Sequence, residues 1–185
     1  MYRKSSRGYT LIELVVVITI IAIIAGIGIP QYQRTVETAR ALDATTTIKL
    51  VASANKSYQL DHGVFTAGQL TDVCNAACCA GAPGCGAALN DPCNLVACGY
   101  VPKQSFSGSY WSFFAVAGTD GYNNCSPPYG TKEIACGHRK RCSVDIGDPH
   151  CIDESAWPYR CWVYSIDESN VLSSYPNPKS PPPMP

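Results

Sequence analysis

The sequence predicts an α+β fold: a long N-terminal helix, hydrophobic in its first half, packed through its second half on a small, disulfide-rich antiparallel sheet. Three observations carry this. Residues 11–29 are apolar or glycine except for Glu13 and Thr19. The following residues, up to Gly63, hold no glycine or proline after Pro30 and keep a helical period. Beyond residue 110, runs of strand-forming residues alternate with turn-rich connections, and eleven cysteines are scattered from residue 74 onward.

A helix over residues 11–29 is about 28 Å long, enough to cross a hydrocarbon core with little tilt. Arg3, Lys4 and Arg7 precede it and mark the cytoplasmic side, so the chain after the apolar run is exported. Glu13 is the anomaly, because a carboxylate in an apolar span costs about 2.5–3.5 kcal/mol at the membrane centre. The Gly8–Tyr9 bond also precedes the apolar run, whereas a secretory signal is cut after it.

Gly8, Tyr9, Thr10, Leu11, Ile12 and Glu13, followed by the apolar run to Pro30, resemble the prepilin leader of type IV pilins and type II secretion pseudopilins. The resemblance is specific over roughly residues 1–40 and loose beyond. It implies cleavage between Gly8 and Tyr9 by prepilin peptidase, with N-methylation of Tyr9; the family usually has Phe there. Cleavage would leave a cationic amine four residues before Glu13, about 6 Å of helix. A buried cation and anion each need a partner, which a neighbouring subunit can supply. Simpler readings are that Glu13 favours the positive end of its own helix dipole, or that the segment is a secretory signal cut near Gly26 and Gly28, or a plain anchor. None explains the basic leader, Gly8, Glu13 and Pro30 together.

The second stretch of helix runs to about Leu60, with Tyr32, Val36, Ala39, Leu50, Ala54 and Tyr58 on one face and Asp43 interrupting it. Pro30 removes an amide that would bond Gly26, and Gly26 and Gly28 are poor helix formers. Residues 26–30 are therefore where the helix is expected to kink or unwind. The resemblance adds that the segment extends when subunits pack into a filament.

The expected division is a leader (1–8), a hydrophobic membrane and filament-core helix (9–30), its amphipathic continuation (31–62), a Cys-rich loop region (63–109), an antiparallel β head (110–174) and a Pro-rich tail (175–185). Cys74, Cys78, Cys79, Cys85, Cys93 and Cys98 sit among alanines and glycines that bury little surface, so covalent staples are needed there. Their spacing does not match a zinc knuckle. Cys125, Cys136, Cys142, Cys151 and Cys161 are expected to tie the β region, and the odd total leaves at least one thiol unpaired or bonded to another chain. Pairing cannot be read from spacing. Strands are expected over residues 110–116, 131–136, 141–146 and 160–166.

No nucleophile elbow, phosphate loop or dinucleotide fingerprint occurs, so neither catalytic residues, a cofactor nor a metal is expected. His62, His138 and His150 are read as surface or loop residues, although the last two adjoin Cys136 and Cys151. Asp145, Asp148, Asp153 and Glu154, or Asp120 with Asn123 and Asn124, are read as solvated turns rather than a calcium loop. Asn55 and Asn124 each fit a glycosylation sequon. Loss of three leader cations turns a formal net charge of zero slightly acidic, which argues against nucleic acid as a partner.

The family resemblance implies a pilin: a non-enzymatic subunit held in bacterial inner-membrane lipid before assembly, N-terminus cytoplasmic and head periplasmic. Its partners would be copies of itself in a homopolymeric filament, minor pilins, prepilin peptidase and the inner-membrane assembly platform. The alternatives are a pseudopilin of a type II secretion system, in a periplasmic pseudopilus, and a membrane-anchored disulfide-rich binding module.

Overall fold

A computed structural model of the chain describes residues 10–117, 132–139 and 162–175. Contacts divide the chain into two compact units, Met1–Ala39 and Arg40–Pro185. Helix α1, Leu11–His62, contributes to both. The strand expected over residues 141–146, the Pro-rich tail and the leader lie outside the described residues.

In the first unit the described residues form a single layer, the helix α1. Leu11, Ile12, Leu14 and the valines and isoleucines through Ile29 are all exposed. Thr19 and Thr35 return their hydroxyls to the carbonyls of Val15 and Gln31, at 2.7 and 3.0 Å, which keeps them satisfied without water. The helix is continuous through residues 26–30, where the sequence expects a kink or unwinding. The missing proline amide removes one bond, while the ladder on either side persists.

In the second unit the last turns of α1 lie on a five-stranded sheet in the order β1-β2-β3-β4-β5, every pair antiparallel. The strands are β1 (Gly68–Leu70), β2 (Trp111–Ala115), β3 (Glu133–Arg139), β4 (Val163–Asp167) and β5 (Leu172–Tyr175). The sequence misses β1 and β5, whose GQL and LSSY carry little strand propensity. Register recruits them instead. Leu70 stands opposite Phe113, and Leu172 opposite Ile166. A tight turn delivers β5: Asp167 Oδ1 accepts the amides of Ser169 and Val171, both at 2.9 Å, and Asn170 takes a φ of 65°.

Two cross-strand rows face α1: Leu70, Phe113, Gly137 and Tyr164, then Ala115, Ala135 and Ile166. Across them run Ala41, Ala44, Ile48, Val51, Ala52 and Tyr58, all buried. This face is rotated from the expected one. Tyr32 and Leu50 are 71% and 38% exposed, and Ala39 is exposed. Alanines at 41, 44 and 52 let the helix approach closely, so small residues mark the contact better than large ones. At Gly137 the approach is tightest: a Cβ there would stand 2.8 Å from Ile48 Cδ1.

Asn55, fully buried, is the polar centre of this contact. Its Nδ2 reaches the carbonyls of Thr66, Val116 and Ile134 at 3.2, 3.0 and 2.9 Å. Its Oδ1 accepts the Thr66 amide at 2.9 Å and the Thr66 hydroxyl at 3.0 Å. One side chain thus ties α1 to the entry of β1, the exit of β2 and the start of β3. The sequon at Asn55 is therefore closed to glycosylation in the folded chain.

Replacing Asn55 with Ala strands a buried amide and several carbonyls, and is expected to lower stability by about 3–5 kcal/mol in chemical unfolding. Glu133 generates a pH dependence. It is buried at the head of β3 opposite Asp167. Burial pushes its carboxyl up to about 7, with the Asp167 charge adding and a Ser165 hydrogen bond opposing. The native state therefore holds the proton more tightly than the unfolded chain, whose value lies near 4.5. From this residue stability should fall as pH rises from about 4.5 to about 7, by on the order of 3 kcal/mol, and then level off. Glu133→Gln should flatten that slope in melts recorded across the window.

Candidate functional site

The site begins at the N-terminus of α1. Glu13 Oε2 accepts the Thr10 amide and the Thr10 hydroxyl, each at 2.8 Å. The Glu13 amide donates back to Thr10 Oγ1 at 3.3 Å. This is a capping box: Thr and Glu three apart each satisfy an amide of the first turn that has no helical partner. The signal T-x-x-E before an apolar run is present in the sequence, yet reasoning from membrane cost overlooks Thr10. Within one chain Glu13 therefore serves its own helix end. The hydrogen bonds of the carboxylate to Thr10 all run through Oε2. Gly8 and Tyr9 lie outside the described residues.

The apolar surface below this cap is long enough to cross a membrane. Gly26 and Gly28 open onto empty space, with no atom within 4 Å of the Cβ either would carry. They interrupt a surface of isoleucines with two shallow notches, where another helix backbone could come close.

Further along, all six cysteines of the 74–98 stretch are paired: Cys74 with Cys93, Cys78 with Cys85 and Cys79 with Cys98. The staples hold a lobe with a short 3₁₀ turn, Asp72–Ala76, and a four-residue helix α2, Asn94–Ala97. Buried Asn94 completes it, accepting the Ala80 amide at 2.9 Å and donating to the carbonyls of Ala88 and Leu89 at 2.8 and 3.2 Å. The lobe is more than loops, because Leu95, Val96, Val101 and Phe106 join the main core. Cys136 is disulfide-bonded as well, which removes it from any Cys/His metal set. Cys125, Cys142, Cys151 and Cys161 lie outside the described residues, as do His150 and the acidic loop groups considered for calcium. No cluster of His, Cys, Asp and Glu with metal-holding geometry occurs among the described residues.

Of the described histidines, His138 differs from the expected surface or loop position. His138 is a half-buried strand residue stacked on Phe114, ring centroids 5.1 Å apart, and burial pushes its imidazole down. His62 stacks on Tyr58 at 4.2 Å, at the end of α1. Beside it the Tyr100 hydroxyl donates to Asp61 at 2.5 Å, which raises the phenol to about 12. These contacts fasten the lobe to the helix end.

The Cys74–Cys93 bridge closes 19 residues. Replacing both cysteines with serine should cost about 2–4 kcal/mol and appear as a lower melting temperature.

Comparison with known proteins agrees with this anatomy. The prokaryotic N-terminal methylation motif matches residues 3–29. The chain is 35% identical over 69 residues to the type II secretion system core protein G of Pseudomonas aeruginosa, covering 37% of this chain and 49% of that protein. It is 47% identical over 57 residues to prepilin peptidase-dependent protein D of Escherichia coli, 31% of this chain and 39% of the relative. To the type IV major pilin protein PilE of Neisseria gonorrhoeae it is 37% identical over 59 residues, 32% and 35% of the two chains. The match thus spans less than half the length of each relative, and no solved structure matches the chain. Over its first third, where the methylation motif and the long apolar helix lie, the chain is similar to type IV pilins and to a type II secretion core protein.

Proposed function

We propose that this chain is the structural subunit of a type IV pilus-like filament. One observation carries the reading: α1 exposes every large apolar side chain from residue 11 to 29, with a single carboxylate at its start. Such a surface is stable only in lipid or against similar surfaces. The subunit waits in the bacterial inner membrane, N-terminus cytoplasmic and head periplasmic. Prepilin peptidase cuts between Gly8 and Tyr9, and Tyr9 is then methylated. The new amine of an incoming subunit pairs with Glu13 on its neighbour, while apolar helices replace lipid around both. Gly26, Gly28 and Pro30 let the helix lengthen locally as the subunits settle. Assembly then needs copies of the chain, related minor pilins and a membrane platform.

Similarity to a type II secretion core protein supports a second reading, a pseudopilin acting in a short periplasmic pseudopilus. The physical requirements on Glu13 and the apolar helix are shared. Surface filaments under the electron microscope favour the pilus; secretion loss without surface filaments favours the pseudopilus.

The deciding experiment is Glu13→Ala in cells. Incorporation into filaments should drop at least tenfold, equivalent to about 1.4 kcal/mol per subunit contact, while the chain stays folded and membrane-bound. Intact mass of the wild-type subunit should show loss of the first eight residues and gain of one methyl group. Normal assembly of the variant, or a retained leader, would refute the proposal.

A further inference from the structure

We propose that the cysteine-rich lobe matures as the substrate of a thiol–disulfide isomerase, a partner whose C-x-x-C thiolate rearranges bridges without net oxidation. This rests on the periplasmic placement of the head, since only an oxidising compartment forms and keeps such bridges. The order of the pairing points to it. Along the chain the cysteines of the lobe run Cys74, Cys78, Cys79, Cys85, Cys93 and Cys98. The bridges are Cys74–Cys93, Cys78–Cys85 and Cys79–Cys98, so none of the six is joined to its nearest cysteine neighbour in the sequence. Cys78 and Cys79 are adjacent, yet they go to different partners.

Chain entropy favours other bridges first. Two of the native bridges each span a sequence separation of 19, whereas Cys74 and Cys78 are four apart and Cys93 and Cys98 five apart. Loop closure weakens roughly as the 3/2 power of length, so these consecutive bridges form about 7–10 times more readily in an unfolded chain. Folding does not correct this beforehand. The segment is mostly alanine, glycine and asparagine, and it orders through the bridges themselves.

A consecutive bridge is incompatible with the folded lobe. Cys93 and Cys98 flank α2, where the Ala97 amide donates to the Cys93 carbonyl and the Cys98 amide to the Asn94 carbonyl, both at 2.9 Å. Residues five apart on such a turn have Cα atoms about 8.7 Å apart. A disulfide spans no more than about 7 Å. A Cys93–Cys98 bridge therefore unwinds α2, which withdraws Leu95 and Val96 from the core and Asn94 from Ala80, Ala88 and Leu89. With all six lobe sulfurs bonded in this way, rearrangement needs a thiolate from outside the lobe.

The exchange closes on itself. A disulfide-bearing oxidase first takes two electrons and two protons for each bridge, giving the consecutive set Cys74–Cys78, Cys79–Cys85 and Cys93–Cys98. The isomerase thiolate attacks the Cys98 sulfur, forming a mixed disulfide and releasing Cys93 as a thiolate. Cys93 attacks Cys74 and releases Cys78; Cys78 attacks Cys85 and releases Cys79. Cys79 then attacks Cys98 in the mixed disulfide and returns the isomerase thiolate. The product is the observed set, and no electron is gained or lost after the first oxidation.

The test oxidises the reduced full chain in detergent micelles with diamide, with or without a purified C-x-x-C isomerase in its reduced form. Thiols are blocked at intervals with N-ethylmaleimide, and bridges are mapped by partial reduction and tandem mass spectrometry. With diamide alone, Cys93–Cys98 and Cys74–Cys78 should outnumber Cys74–Cys93 by about fivefold or more, and the isomerase should reverse that ratio. An isomerase lacking its attacking cysteine should leave the ratio unchanged. A variant with Cys74, Cys79, Cys93 and Cys98 all replaced by serine should form Cys78–Cys85 equally well with or without the enzyme. In cells, loss of the exported isomerase should lower the native map about fivefold or more. The native map at equal yield and rate with diamide alone overturns the proposal, as does a mature chain whose bridges join consecutive cysteines. Free lobe thiols in the cell would overturn the periplasmic placement and the proposal together, and the result in micelles tells the two failures apart.

Discussion

The hydrogen bonds of Asn55 are the constraint on which the second unit rests. A sheet of short strands and a helix with only a narrow apolar face could slide along each other at little cost. Buried at that contact, Asn55 has five hydrogen bonds whose geometry holds in one register alone. Any displacement would leave polar groups unpaired in a dry core, at about 1–3 kcal/mol each. Apolar burial draws α1 onto the sheet, and Asn55 decides where it stops. The close meeting of Gly137 with Ile48 and the alanine-rich helix face follow from that placement.

One helix serves two solvents. In the first unit α1 is apolar on every side, which suits lipid and then other helices. In the second its apolar residues retreat to one face and the rest meet water. The capping box of Thr10 and Glu13 links the two conditions. It satisfies a carboxylate that would otherwise be costly in the apolar segment.

The cysteine-rich lobe shows how a segment short of large apolar side chains can still build something rigid. Three disulfides and Asn94 hold it, and Leu95, Val96 and Val101 anchor it in the core. Asp72 and Asn75, hydrogen-bonded to Phe106 and Gln104, then pass that rigidity to the segment before β2. Neither latch is legible from sequence, because an Asp and an Asn amid loop residues look like ordinary turn formers.

The sequence by itself determined whatever depends on near neighbours or on composition. The long helix, its membrane-compatible start, the methylation motif over residues 3–29, the clearest strands and the need for disulfides all follow from local patterns. Tertiary structure decided what depends on residues far apart in the chain. It chose the face of α1 that is buried, drew GQL and LSSY into the sheet, paired the cysteines and put Asn55 at the core instead of on the surface. The reason is physical: periodicity tells which side chains avoid water, whereas the partner of each buried polar or sulfur atom is set by contacts between segments up to 79 residues apart.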